Sequence, residues 1–140
     1  MTKRIENAPP EKRKFRVLLA DESIPARQSL RQELQETDWI EVVAEADTSQ
    51  DTMALCFKLR PDAAVISACL PGEGGFEVIR CITRVFPNCL TVLTARQSDS
   101  FVIETARLLG ASAVCCIEQL PTELLKLLRR LSDGNRDRVM

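Results

Sequence analysis

The chain has 140 residues, a hydrophobic fraction of 45% and a formal net charge of −1. That length supports one domain around one sizeable core, and the near balance of charge gives no overall reason to bind nucleic acid or an anionic membrane. No apolar run approaches the ~20 residues of a membrane span, and the polar start MTKRIENAPPEKRKF is unlike a secretory signal, so a cytoplasmic protein is expected.

Residues 1–14 lack periodicity and carry Pro9-Pro10 among charges, which reads as a flexible tail. Its Lys12, Arg13 and Lys14 could touch an acidic partner, but solvation accounts for them more simply. Order begins at Phe15. FRVLLA, Phe15 to Ala20, is a short strand that stops at Asp21-Glu22-Ser23, and Pro25 suits the first turn of a helix that buries Leu30 and Leu34 and ends near Thr37. A second strand is predicted over Trp39 to Ala46, followed by a helix capped by Asp47, Thr48 or Ser49 and ended by Pro61.

Ala63 to Ala68 reads as a buried central strand. It leaves through Leu70-Pro71-Gly72 and restarts as a helix at about Phe76. Gly72, Gly74 and Gly75 are turn residues, because G-E-G-G has neither the lysine-serine ending of a phosphate loop nor a dinucleotide spacing. Cys89 to Ala95 is the fourth strand, Ser98 or Asp99 caps the fourth helix, and Gly110 ends it. Ser112 to Ile117 is the fifth strand, Pro121 opens a leucine-rich fifth helix, and 132–140 reads as a polar tail or the start of a linker. The domain is thus expected over 15–131.

The six cysteines include no C-x-x-C pair and the chain has no histidine, which argues against a zinc site. They are expected to be small buried hydrophobes in a reducing compartment. Cys115 and Cys116, adjacent on a strand, should point to opposite faces, and Cys69, just past the central strand, is the one to test for reactivity.

Five strands alternating with five helices through short loops give an α/β fold, a doubly wound five-stranded parallel sheet. The flavodoxin-like (βα)5 order 2-1-3-4-5 suits this length and brings Asp21, Glu22 and Ser67 together at the carboxyl edge of neighbouring strands 1 and 3. The LLADES segment, RPD-strand-LPG-x-x-G, the LTA closing strand 4 and R-x-L-G-A-S before strand 5 all follow in order. On these motifs, from about Phe15 to Leu131, the chain resembles the receiver domain of bacterial two-component response regulators, the CheY-like family. AEADTSQ and RLLGAS are closest in wording to receivers that carry a helix-turn-helix output domain.

The resemblance implies a phosphorelay chemistry. In the family an aspartate ending strand 3 accepts a phosphoryl group, an acidic pair holds a divalent cation, a lysine after strand 5 pairs with the phosphoryl oxygens and a hydroxyl ending strand 4 switches. Asp21 and Glu22 match the acidic pair and Thr94 the switching hydroxyl. The acceptor position is Ser67, the lysine position is Ile117 with Glu118 after it, and the switching aromatic falls at Val114. Serine cannot form an acyl phosphate, is a poor nucleophile without a base, and weakens magnesium binding, so no cofactor is required and Mg2+ at Asp21 and Glu22 is expected to bind weakly or not at all. Asp62 and Glu73 are the other acids considered as acceptors, but Asp62 should lie ~15 Å away at the far end of strand 3 and Glu73 on a loop.

The expectation is therefore a non-enzymatic, degenerate receiver that acts through protein contacts. The resemblance implies a histidine kinase, an output protein or a second copy docking on the face formed by helix 4, strand 5 and helix 5, where Leu124 or Leu128, or Val102 with Leu109, could form an exposed strip. Two other readings stay open. One is a working phospho-receiver with a non-standard acceptor or a phosphorylated Ser67, and the other is a small-molecule binder at the switch-point cleft.

Overall fold

The computed structural model describes residues 13–96 and 99–139. Five parallel strands run β1 (Phe15–Ala20), β2 (Ile40–Ala46), β3 (Ala63–Ser67), β4 (Leu90–Ala95) and β5 (Ala113–Cys116), in the order β2-β1-β3-β4-β5. The helices are α1 (Ile24–Gln35), α2 (Ser49–Leu59), α3 (Gly75–Val85), α4 (Ser100–Leu109) and α5 (Thr122–Val139). The expected strand order, and β3 at the centre with all five residues buried, are what the chain adopts.

Alternation along β1 divides the core in two. Val17 and Leu19 face the side covered by α1 and α5, together with Leu30, Leu34, Leu124 and Leu128. Leu18 and Ala20 face the opposite side, with Ile66, Val78, Ile79 and Ile82, under α2, α3 and α4. A strand sandwiched between helices must be apolar on both faces, which is why β1 and β3 read as continuous hydrophobic runs.

Local chemistry sets the helix ends. Ser23 caps α1 by accepting from Ala26 N–H, Thr48 caps α2 by accepting from Asp51 N–H, and Asp99 caps α4 by accepting from Val102 N–H. Of the alternatives, Asp47 and Ser49 are not the cap, and Ser98 lies outside the described residues, as do residues 1–12 of the expected tail. Gly110 ends α4 in the left-handed region at φ 108°. Arg60 takes the same region at φ 48° to end α2.

Three expectations change. Helix α5 continues past Leu131 to Val139, so the expected tail is helical through that residue; Ser132 is buried and Arg129 faces Asp133 one turn on at 3.9 Å. Ile117 leaves the fifth strand and opens a short 3-10 turn, Ile117–Gln119. Leu124 and Leu128 are fully buried against the sheet, while Val102 and Leu109 are half-buried. The exposed apolar positions of α4 are instead Phe101 and Leu108, two turns apart on one stripe, at 77% and 83% exposure. Cys115 is buried and Cys116 half-buried, on opposite faces as the strand geometry requires.

Candidate functional site at the carboxyl edge of the sheet

The site begins where β1 runs out. Asp21 N–H donates to the Ala46 carbonyl at 3.0 Å, which carries the β1–β2 pairing one residue past the strand. The Asp21 carboxylate accepts Ser23 N–H at 2.8 Å, and the Arg27 guanidinium donates to the Asp21 carbonyl at 2.6 Å. Arg27 is held by Glu45 at 2.9 Å, and Arg31 grips the other oxygen of the same carboxylate at 2.8 Å. Burial is the largest influence on the Asp21 carboxyl and raises its pKa; the Ser23 N–H opposes this, the charge of Glu22 and a hydrogen bond with its carboxyl add to it, and Arg27 lowers it. Asp21 is half-buried and Glu22 exposed, so the two acids stand together at the rim of the cleft.

Ser67 closes β3 at the same level. Ala20 pairs with Ile66, so Asp21 and Ser67 lie one residue beyond that pair on strands ~5 Å apart. Ser67 is 4% exposed, and its hydroxyl oxygen accepts Cys69 N–H at 3.1 Å, a local turn that commits one lone pair of the residue. Thr94 is the direct cross-strand partner of Ser67, is also buried, and its carbonyl accepts Ala68 N–H at 2.9 Å. The fold therefore gathers Asp21, Glu22, Ser67 and Thr94 at one edge.

Ile117 follows β5 at 42% exposure, a hydrocarbon beside that edge. Val114, at the aromatic position, is half-buried in β5. Asp62 sits at the opposite end of β3, where its carboxylate accepts Arg16 N–H at 2.8 Å and burial raises its pKa. Glu73 is exposed on the β3–α3 loop.

That loop is held by two contacts that the sequence did not foretell. Ser49, the first residue of α2, is buried; its hydroxyl oxygen accepts Glu73 N–H at 2.9 Å while its own N–H donates to the Pro71 carbonyl at 2.9 Å. Only its place among three possible caps hinted at a role. Gly75 opens α3 flush against the end of β3, where a Cβ would collide with the Ser67 carbonyl oxygen and lie 2.9 Å from Ala68 Cα. Gly72 and Gly74 adopt φ of 98° and 92°, so the turn reading holds for these two, whereas Gly75 is the first residue of α3.

A doubly wound sheet of order 2-1-3-4-5, with paired acids after β1 facing hydroxyls on β3 and β4, defines a flavodoxin-like module whose site lies at the topological switch point. The chain belongs to the response regulator receiver domain family, whose model matches residues 17–129. It is 29% identical over 124 residues to the uncharacterized transcriptional regulatory protein YxjL of Bacillus subtilis, covering 88% of this chain and 56% of that protein. It is 31% identical over 100 residues to the response regulator GacA of Pseudomonas viridiflava, covering 71% of this chain and 45% of that one. The chain thus spans about half the length of these relatives. Among solved structures, a LuxR-family two-component response regulator from Aurantimonas sp. superposes with a TM-score of 0.82 at 26% identity over 86% of each chain. The receiver domain of the NarL regulator of Mycobacterium tuberculosis superposes equally well, at 0.82 and 22% identity, over 86% of this chain and 98% of that one. Among the described residues, no helix is long and apolar enough to cross a membrane.

Proposed function

We propose that this receiver domain is a signalling module that works by protein contact and has lost its phosphoryl switch. The observation that carries the reading is Ser67: at the end of the central strand, beside the acidic pair and Thr94, stands a buried neutral hydroxyl that already accepts Cys69 N–H. A carboxylate there forms an acyl phosphate; a serine hydroxyl forms only an ester, and needs a base to become a nucleophile. No histidine exists in the chain to serve, and the nearby acids are Asp21, tied to Ser23 N–H, and exposed Glu22. Ile117, where the family's lysine stands, offers no cation to a phosphoryl dianion.

The same residues fit a hard divalent cation poorly. Such an ion wants several anionic oxygens converging on it, whereas Asp21 and Glu22 stand on one side and neutral hydroxyls on the other. Among the described residues, no three His, Cys, Asp or Glu side chains are grouped to hold a metal. Asp62 and Glu73 do not substitute: the first is bonded to Arg16 N–H at the wrong end of β3, and the second lies exposed on the loop. On this reading the domain is no enzyme, and Phe101, Leu108 and Ile117 supply the apolar surface for a protein partner.

Thermal shift with Mg2+ and beryllofluoride, a phosphoryl mimic, tests the proposal on the parent chain and on a Ser67→Asp, Ile117→Lys double variant. The expected result is a metal-dependent rise in Tm for the double variant and none for the parent. A comparable rise in the parent would overturn the reading. Turnover of a small phosphodonor by the parent would do the same.

A further inference from the structure

At the amino edge of the sheet, opposite the candidate site, a groove runs between the last turns of α2 and α3. Phe86, just past α3, is its buried floor, and the Phe57 ring of α2 stands edge-on to the Phe86 ring with centroids 6.4 Å apart. Val85 forms the other wall. Thr83 is the α3 residue that faces Gly110 at the end of α4, and two positions further, about 200° around the helix, Val85 is turned toward α2. Phe57 is 66% exposed and Val85 58%. Met53 and Cys81, one turn earlier on the same flanks, are half-buried.

Basic groups rim this groove. Lys58 and Arg84 occupy the last turns of the two helices, whereas the first-turn acids, Asp51 and Glu77, stand at the opposite ends. Arg60, which caps α2, lays its guanidinium over the Phe57 and Phe86 rings at 5.3 and 4.8 Å and donates from Nε to the Phe57 carbonyl at 3.0 Å. Asp62, two residues on, accepts Arg16 N–H instead of meeting this rim. Among the described residues, Lys58, Arg60 and Arg84 form no ion pair. The helix macrodipole accounts for cations at these C-terminal ends, but not for two large apolar side chains left open beside them.

We propose that this groove docks an acidic amphipathic segment of a protein partner, whose apolar stripe covers Phe57 and Val85 and whose carboxylates meet Lys58, Arg60 and Arg84. Charge selects this occupant. A second copy presenting the same groove would set these cations against their own kind. A lipid surface does not follow apolar side chains into a groove between helices, and a base needs an open ring, whereas Arg60 already lies over Phe57. An amphipathic helix satisfies both features, with anchors at i, i+3, i+4 and i+7 entering the groove and acids on its margins. Arg60 is held by its own hydrogen bond and by two rings, so its fork is presented to a carboxylate at little further cost in entropy. The inference rests on the reading that the domain works by protein contact, and on that part alone. A beryllofluoride response would overturn the loss of the switch and leave the groove standing.

The test is fluorescence anisotropy of the full chain against a labelled peptide of about 14 residues, with leucine at i, i+3, i+4 and i+7 and glutamate or alanine elsewhere. Saturable binding is expected, weakening as salt rises. Val85→Glu, and separately Lys58→Glu combined with Arg84→Glu, should each raise Kd by about tenfold or more. All three positions are exposed, and Phe101→Ser with Leu108→Ser on α4 should leave Kd unchanged. Amide chemical shifts of the parent chain, which need no variant to fold, should move at Phe57, Lys58 and Val85. The proposal is overturned if the peptide does not bind, if a version with lysine in place of glutamate binds as well, or if the shifts fall on α4 instead. It is equally overturned if phosphatidylserine vesicles or a single-stranded oligonucleotide bind the parent chain more tightly than the peptide does.

Discussion

Replacing Gly75 with alanine sets two physical effects against each other, and the structure decides the winner. In a helix a Cβ is favourable by at most about 1 kcal/mol relative to glycine. At Gly75 that Cβ would collide with the Ser67 carbonyl oxygen and stand 2.9 Å from both Ala68 Cα and the Ser67 carbonyl carbon. These are backbone atoms of the central strand and its exit, so no side chain can rotate away. Overpacking of this kind costs about 1–3 kcal/mol or more, and an unyielding neighbour puts it at the upper end. The net expectation for Gly75→Ala is a loss of about 2 kcal/mol. With a urea m-value of about 1–3 kcal/mol/M, the midpoint should fall by roughly 1 M at constant slope. Gly134 supplies the control, since it lies on α5 with nothing within 4 Å of its would-be Cβ. Gly134→Ala should therefore gain about 0.5–1 kcal/mol. Paired urea titrations followed by circular dichroism measure both. If Gly75→Ala matched or exceeded the parent midpoint, the close packing of α3 on Ser67 would be wrong.

The pH dependence of Asp21 has a definite sign. A carboxyl whose pKa is raised by folding binds more protons in the native state than in the unfolded chain, so its contribution to stability falls as pH rises from about its ordinary 3.8 through the raised value. Asp21→Asn should then stabilise the protein at pH 7, by less than about 1 kcal/mol because the group is half-exposed. That advantage should vanish at pH 3.5; urea midpoints that show a loss at pH 7, or a gain unchanged by pH, would contradict it. Ser49→Ala removes the acceptor for Glu73 N–H, with an expected cost of about 1–2 kcal/mol and about tenfold faster amide exchange at Glu73. Unchanged exchange at that amide would mean the loop is held by something else. The beryllofluoride comparison completes the set.

How far the chain could be read before folding depended on the range of each interaction. Strand order, the burial of β3, and the meeting of Asp21, Glu22 and Ser67 were legible because strand period, turn residues and crossover rules act over a few positions or constrain whole topologies. The cap of α2 was narrowed to three neighbours, and only geometry chose Thr48. The end of α5 was missed because its polar turns carry no breaking residue stronger than Gly134 and no apolar stripe to extend the pattern. The exposed strip on α4 was assigned to Val102 and Leu109 instead of Phe101 and Leu108, since periodicity identifies a stripe but not which of two adjacent stripes meets the sheet.

By itself the sequence determined the fold class, the place of the site and the chemical type of each residue in it: a hydroxyl at the end of β3 and a hydrocarbon after β5 are matters of composition at known register. Tertiary structure alone decided what lies against what. It pressed Gly75 onto the Ser67 carbonyl and tied the β3–α3 loop to Ser49, a residue well back along the chain. Such contacts leave no periodic mark, because they arise where two independently formed elements come to rest after the sheet has closed.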